Sequence, residues 1–338
     1  MENRIALAGS GNVGTALLEL LHEKRGELAE KYGFTYKVTL ITDLMKGTVA
    51  NANGLDLERI LREIKTNRTF ANMPQTEGTF PELLQASEAT MLAEATPTNI
   101  KTGEPGLSHI MEALSRGISV TTTNKGPLSV AWDELHETAK KYGAKFRHEG
   151  VVMSGTPVVQ MLECGLAGAS VTGIEGILNG TTNFILTRMY EGAPYAEALA
   201  EAQRLGYAEA DPGGDIDGWD AAAKVSILAR IAFGKKIPLE EIDRIGISGV
   251  TPERIAAAKQ SGRKTKPVAG IKYVDGALRG YVTPREIPLD HPLASVNGAA
   301  NAIAVTTDNL GCVTLIGPGA GRRETGQALL ADLISMSK

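Results

Sequence analysis

Apolar residues in this chain fall into short solid runs that alternate with stretches of helical period. Ile5-Ala6-Leu7-Ala8 is such a run, closed by Gly9. A short apolar run bounded by glycine predicts a strand buried on both faces. Over residues 13–32, Leu17, Leu18, Leu20, Leu21 and Leu28 predict a helix, and residues 38–41 (Val-Thr-Leu-Ile) a second strand. Strand, helix, strand at this spacing is a βαβ unit, which implies a parallel sheet. The alternation goes on through a strand at 89–95, a helix at 107–116 closed by Gly117, a strand at 118–122, a helix at 132–142 and a strand starting at 145–147. These elements predict an α/β domain with a doubly wound parallel sheet.

The character changes after Glu149. Residues 173–177 read as a strand and residues 183–233 as helix-rich. Residues 268–271, 278–284, 301–307 and 311–316 read as further strands, and 325–334 as a last apolar helix. Residues 71–81 and 208–218 are rich in turn formers and are expected to be loops, which in compact domains are often functional. At roughly 100–200 residues per domain, 338 residues suggest two domains. There is no internal repeat.

Charge and cysteine content narrow the function. With 35 basic and 39 acidic residues the formal charge is −4, so no basic surplus points to nucleic acid. No apolar run approaches the ~18 residues of a membrane span. Two cysteines, Cys164 and Cys312, make neither a disulfide framework nor a cysteine zinc site. The first residues lead straight into a strand pattern, so no signal peptide is expected. These features predict a soluble protein of a reducing, cytoplasmic compartment with a small-molecule substrate.

Gly9-Ser10-Gly11-Asn12-Val13-Gly14 follows the first strand and opens the first helix. Gly-x-Gly-x-x-Gly in that context predicts a dinucleotide site. Gly9 permits the tight turn, Gly11 lets the backbone approach a pyrophosphate, and Gly14 lets helix and strand pack closely. Free N–H groups at the helix start, at Asn12 and Val13, would then face the anion. A glycine turn without a ligand is the plainer reading. Asp43 ends the second strand, where a carboxylate can bond a ribose 2′-hydroxyl and repel a 2′-phosphate. It leans toward NAD, although Lys46 and the loop beyond it could take a phosphate.

Two lysines stand out. Lys125 follows the 118–123 strand, where side chains project into the ligand crevice of such sheets. The alternative is a solvated surface lysine. Lys224 lies in Trp219-Asp-Ala-Ala-Ala-Lys-Val-Ser-Ile-Leu-Ala-Arg-Ile-Ala-Phe233, apolar nearly all round and therefore expected to be buried. Asp220 is four residues before it on the same face, and the acidic turn 206–218 adds Glu209 and Asp215. A buried ammonium needs an acid or a polar cavity. The alternative is an ordinary i,i+4 pair. Aldehyde reduction needs a hydride and a proton for the alkoxide. An ammonium stabilises the developing negative charge, and carboxylates can hold a substrate amino group.

With these residues in place, the chain resembles the homoserine dehydrogenases over nearly its whole length. The likeness is carried by the glycine turn, Ala95-Thr96-Pro97, Gly103-Glu104-Pro105, Asn124-Lys125, Glu149-Gly-Val-Val-Met-Ser-Gly-Thr-Pro157 and Gly176-Ile-Leu-Asn179-Gly180-Thr181-Thr182-Asn183. The 206–224 stretch, Asp290-His291-Pro292-Leu293-Ala294 and Gly317-Pro318-Gly319-Ala320-Gly321 complete it. The resemblance implies a Rossmann domain, residues 1–148 plus about 322–338. It also implies a second α+β domain on a mixed sheet, residues 149–321, that binds substrate and forms a homodimer.

The same resemblance implies NAD(P)-dependent interconversion of aspartate 4-semialdehyde and homoserine, as in threonine, methionine and isoleucine biosynthesis. By matching positions, Lys125, Lys224 and Asp220 are implied to be catalytic. Glu209 and Asp215 are implied to bind the substrate amino group, and Asn179, Gly180 and Thr181 to line the substrate site. Thr96, Asn124 and Lys125 are implied to lie near the nicotinamide. A monovalent cation, Na+, is implied at Glu149, Val152, Ser154 and Thr156, mostly through backbone carbonyls. Oxygen-only ligation suits a hard cation.

Glu324 stands where the family commonly has proline, and Gly213-Gly214 loosens the acidic loop. Neither a fused aspartate kinase nor a C-terminal ACT domain is recognised, so threonine feedback through such a domain is not expected. The rival readings are another NAD(P)-dependent amino-acid dehydrogenase and a non-catalytic dinucleotide sensor.

Overall fold

In the first strand, β1 (Asn3–Ala8), Ile5 and Leu7 enter one buried apolar cluster and Ala6 and Ala8 another. The strand is thus covered on both faces, as its unbroken apolar run requires. In the computed structural model, which describes residues 2–338, it sits at the centre of a six-stranded sheet. Its companions are β2 (Tyr36–Asp43), β3 (Gly47–Ala50), β4 (Met91–Glu94), β5 (Ser119–Thr122) and β6 (Phe146–Arg147), in the order β3-β2-β1-β4-β5-β6. All neighbours run parallel except β3, which folds back antiparallel on β2. The order reverses between β1 and β4, and ligands of open parallel sheets bind outside the strand ends at such a point.

Several helices differ from the sequence pattern. The helix expected over 13–32 is two helices, Asn12–Glu23 and Arg25–Tyr32, separated at Lys24. The second buries only Leu28, so its period was carried by one residue. Helices Leu57–Asn67 and Phe80–Ala86 were not anticipated. Both carry start signals: the Asp56 side chain accepts from Arg59 N at 3.2 Å, and Thr79 with Glu82 forms a capping box. The helix expected at 132–142 begins at Lys125 and is distorted at Ala131 (φ −133°, ψ 31°), where the apolar period starts afresh.

The chain forms two compact units. Residues 2–155 together with Gly321–Lys338 make the first, and Thr156–Ala320 the second. The C-terminal helix Arg322–Met336 belongs to the first unit's core through Leu329, Leu330, Leu333 and Met336. A Cβ on Gly326 would sit 3.0 Å from the Ala16 methyl. Asp332, 1% exposed, accepts from Thr121 Oγ1 (2.8 Å) and from the Glu149 backbone N–H (3.0 Å).

The second unit is built on a mixed sheet of β7 (Val171–Ile177), β8 (Asp243–Arg244), β9 (Arg263–Val274), β10 (Ala277–Pro288), β11 (Ala300–Thr307) and β12 (Gly311–Pro318). Its order is β12-β11-β7-β9-β10-β8. Only β8 and β10 pair in parallel. β9 and β10 are longer than their apolar runs because a two-residue turn, Asp275-Gly276 with φ of 50° and 77°, zips them into one hairpin. The helix-rich stretch resolves into Gly180–Tyr190, Tyr195–Arg204 and Trp219–Phe233. The acidic loop between the last two holds one short helix, Gly213–Ile216. The fold class is the expected one: a Rossmann-type doubly wound sheet and a second α+β unit.

Candidate active site

The glycine turn leaves β1 at the point where the strand order reverses. Gly9 has φ +89°, and a Cβ there would lie 2.5 Å from the Ala95 carbonyl oxygen. A Cβ on Gly14 would come within 2.0 Å of the Gly9 carbonyl oxygen and 3.4 Å of Leu7, so helix and strand meet at van der Waals distance. Gly11 is different, for a Cβ there meets no protein atom within 4 Å. It is the N-cap of helix Asn12–Glu23, and no side chain caps that end. The first N–H groups of Asn12 and Val13 are the orphan donors of such a helix start. An open, uncapped, glycine-lined helix N-terminus fits a pyrophosphate.

Asp43, at the end of β2, is held firmly. Oδ2 accepts from Ser10 N (2.8 Å) and Ser10 Oγ (3.0 Å), and Oδ1 from Met45 N (2.9 Å) and Lys46 N (3.0 Å). Lys46 Nζ lies 3.7 Å from Oδ2 and donates to the Ser10 carbonyl at 2.7 Å. Burial opposes ionisation of Asp43, but the Ser10, Met45 and Lys46 N–H groups and the Lys46 charge outweigh it. The carboxyl stays below its usual range.

On the far side of the crevice, Asn124 caps helix Lys125–Tyr142 by accepting from Gly126 N at 3.1 Å, and Lys125 is the first residue of that helix. The Asn124 amide reaches the carbonyls of Thr96 and Pro97, each at 3.4 Å. Beneath these residues the structure places one that the sequence reading did not single out. Glu94, the last residue of β4, is 0% exposed. It accepts from Thr96 N (2.8 Å), Thr96 Oγ1 and Thr122 Oγ1 (2.6 Å). Its signal was a glutamate closing an otherwise apolar strand.

In the second unit, helix Trp219–Phe233 buries Lys224 to 7% exposure. Nζ lies 2.7 Å from Asp220 Oδ2 and donates to the Leu178 carbonyl at 2.6 Å. The Asn179 amide donates to the same Asp220 oxygen (3.2 Å) and to Asp215 Oδ1 (2.7 Å). Its own oxygen caps helix Gly180–Tyr190 by accepting from Thr182 N at 2.9 Å. Lys224, Asp220, Asn179 and Asp215 therefore form one chain of polar contacts ending at a helix N-terminus, whose first residues are Gly180 and Thr181. The Thr181 hydroxyl is engaged with the Tyr207 carbonyl (2.6 Å). Glu209 is exposed on the neighbouring loop, and Gln203 holds its backbone carbonyl (3.1 Å).

Along the expected cation positions, Glu149 is buried and its backbone N–H is spent on Asp332. Val152 is in the one-turn helix Gly150–Met153. Ser154 has φ +53°, rare outside glycine, and its hydroxyl meets Thr325 Oγ1 at 2.8 Å. Thr156 Oγ1 donates to the Pro318 carbonyl at 3.0 Å. Both hydroxyls have protein partners, so a cation here would rely on carbonyl oxygens. Among the described residues there is no cluster of three or more His, Cys, Asp or Glu able to hold a metal, and no helix long and apolar enough to cross a membrane.

A second buried lysine also escaped notice. Lys266, on β9, is 1% exposed and donates to the Val296 carbonyl, Asn183 Oδ1 (3.1 Å) and Asn297 Oδ1 (3.3 Å), all neutral. Burial, helped by the charge of Lys264, pulls its pKa down to about 7.

Comparison with known proteins agrees with this geometry. Residues 9–149 match the family model described as the NAD binding domain of homoserine dehydrogenase, and residues 157–334 the one described as homoserine dehydrogenase. An NAD(+)-dependent homoserine dehydrogenase of Pseudomonas canavaninivorans is 43% identical, over 98% of this chain and 96% of its own. A homoserine dehydrogenase of Methanocaldococcus jannaschii is 38% identical, over 98% and 97%. A solved hyperthermophilic archaeal homoserine dehydrogenase in complex with NADPH superposes with a TM-score of 0.84 at 33% identity, over 100% of this chain and 98% of the other.

Proposed function

The chain belongs to the homoserine dehydrogenase family and is an NAD(P)-dependent oxidoreductase acting on CH–OH, and from that premise we propose how its residues divide the work. The nicotinamide, when bound, supplies or accepts the hydride at the carbon that is aldehyde in aspartate 4-semialdehyde and alcohol in homoserine. Gly9, Gly11, Asn12, Val13 and Gly14 hold the pyrophosphate, and Thr96, Asn124 and Lys125 line the nicotinamide subsite. Lys224 stabilises the oxygen that becomes an alkoxide and passes it a proton, and Lys125 is a second cation acting on that oxygen. Asp220 holds the Lys224 ammonium in place. Asp215 and Glu209 receive the substrate ammonium, and Asn179, Gly180 and Thr181 shape the pocket around the rest of the substrate.

One observation carries this reading. An ammonium sits inside an apolar helix, bonded to a single carboxylate and a single carbonyl. A third donor site on that nitrogen is thereby left for a reacting oxygen. Electrostatic stabilisation in a dry site is usually the largest catalytic contribution.

Asp43 supports NAD over NADP, since its anionic edge repels a 2′-phosphate. Apolar side chains left exposed on the second sheet, Tyr273, Val274 and Ile316, support a homodimer formed through that unit. The positive φ of Ser154 supports a Na+ held by carbonyls of Glu149 and Val152 with Ser154 and Thr156. The two cysteines, both free, support a cytoplasmic setting, where the enzyme would serve threonine, methionine and isoleucine synthesis.

The test is homoserine oxidation, followed through the absorbance of the reduced coenzyme. It should be run with NAD and NADP separately, with and without Na+, on the wild type and on Lys224→Ala. The variant should lose turnover and keep coenzyme affinity. Wild-type turnover in Lys224→Ala would remove the assignment.

A further inference from the structure

Glu94 has no assigned part in the scheme above, yet it is the most completely buried carboxylate next to the coenzyme crevice. Its position is fixed by the sheet. It ends β4, the strand across the order reversal from β1, and the next two residues, Ala95 and Thr96, touch the space that a Cβ on Gly9 would fill. The carboxylate thus lies directly under Thr96 and Asn124.

Its partners are numerous and all neutral. Thr122 Oγ1 donates to Oε2 while itself accepting from Asn124 N (3.0 Å). Thr96 gives both its N–H and its hydroxyl to Oε1. Oε1 also lies 3.1 Å from where a Cβ on Gly106 would stand, at the first residue of helix Gly106–Ser115. Three donors and a helix N-terminus match an ionised carboxylate, which only accepts. A neutral carboxyl would bring a proton of its own into a shell of donors. Burial works the other way and pushes the Glu94 carboxyl up. Buried charges are ordinarily paired, and no Lys, Arg or His among the described residues is an ion-pair partner of Glu94. A cationic ring bound on the crevice side would add an opposite charge.

We propose that Glu94 is a fixed negative charge beneath the nicotinamide subsite, favouring the oxidised, cationic ring over the reduced, neutral one. The inference rests on the coenzyme placement proposed above. A ring that loses hydride becomes a pyridinium, and a nearby anion in a low-dielectric wall stabilises that product. The bound couple is then a stronger hydride donor than the free one. Glu94 bonds no substrate in this account. It acts through charge and through the Thr96 and Asn124 groups it orients.

The experiment is equilibrium binding of NAD+ and of NADH (or of the NADP pair, if that is the form bound) to the full-length protein. Wild type is compared with Glu94→Gln, which keeps the shape and removes the charge. NAD+ affinity should fall about tenfold relative to NADH affinity. Equal weakening of both would make Glu94 a structural brace only and overturn the proposal, as would an unchanged ratio. If the variant does not fold, Thr122→Val, which removes one donor that keeps the carboxylate ionised, carries the same test. Its ratio should fall about threefold at neutral pH, and no change would count against the charge. Failure of the coenzyme placement itself would look different: Gly11→Val would then bind both nucleotides as wild type does.

Discussion

The nucleotide turn and the lysine-centred cluster solve opposite problems. The turn works because side chains are missing: Gly9 and Gly14 let backbone meet backbone, and Gly11 leaves room. The cluster works because polar side chains are present where the fold would otherwise be dry: Lys224, Asp220, Asn179 and Asp215 bond in series beside an apolar helix. A site made of absences tolerates no addition, and a site made of a charge chain tolerates no deletion.

The sharpest test of that contrast is deletion at the cluster. Lys224→Ala should lower kcat by about 10³-fold, the scale of losing one oxyanion donor, with coenzyme affinity within about twofold of wild type. Titration with NADH alongside steady-state rates would check both halves. Asp220→Asn comes next. It leaves the Lys224 ammonium buried without its counter-charge and should destabilise the fold by about 3 kcal/mol, read as a shift in the urea midpoint, along with a smaller fall in kcat.

Additions at the turn should separate two kinds of glycine. Gly14→Ala forces a methyl against the Gly9 carbonyl and should cost about 2 kcal/mol of stability. Gly11→Ala should leave the melting temperature unchanged and weaken coenzyme binding on the order of tenfold, about 1.4 kcal/mol. If both glycines moved stability alike, the division between packing and approach would be wrong.

The smallest effect concerns Lys266, a buried lysine with no acid. Its folded pKa, about 7, lies below the unfolded value near 10.4. The folded state therefore binds fewer protons between these pH values, so this residue's contribution to stability is complete above the unfolded pKa and fades as pH falls toward 7. Lys266→Met should flatten that slope in melting temperatures taken from pH 7 to 10. An unaltered slope would mean that Lys266 is not the group responsible.

How much of this was legible beforehand follows from the physics of each part. The glycine turn was readable because its spacing is a steric code, and Lys224 because a charge on an apolar helix is conspicuous. Two helices in the first unit were missed although Asp56 and the Thr79–Glu82 pair mark their starts, since each buries only two apolar side chains. β3 buries a single residue, Val49, and gave no period to follow. Glu94 gives little signal because, although Thr96 is two residues away, its other partner Thr122 is 28 residues on and meets it only when β4 and β5 pair. Lys266 was hidden for a similar reason, since Asn183 and Val296 lie far from it along the chain.

Helix Arg322–Met336 closes the core around β1, with Leu329, Leu330 and Leu333 against Leu17, Leu18 and Leu21. Arg322 and Arg323 pair with Glu19 and Glu23 across the same seam. The unit begun by residues 2–155 is therefore finished only by a segment that follows the other unit in the chain. Until that helix docks, the sheet is complete but Leu17, Leu18 and Leu21 stay open to water, and a truncation just before Arg322 would disable the nucleotide half while sparing every residue of the substrate half.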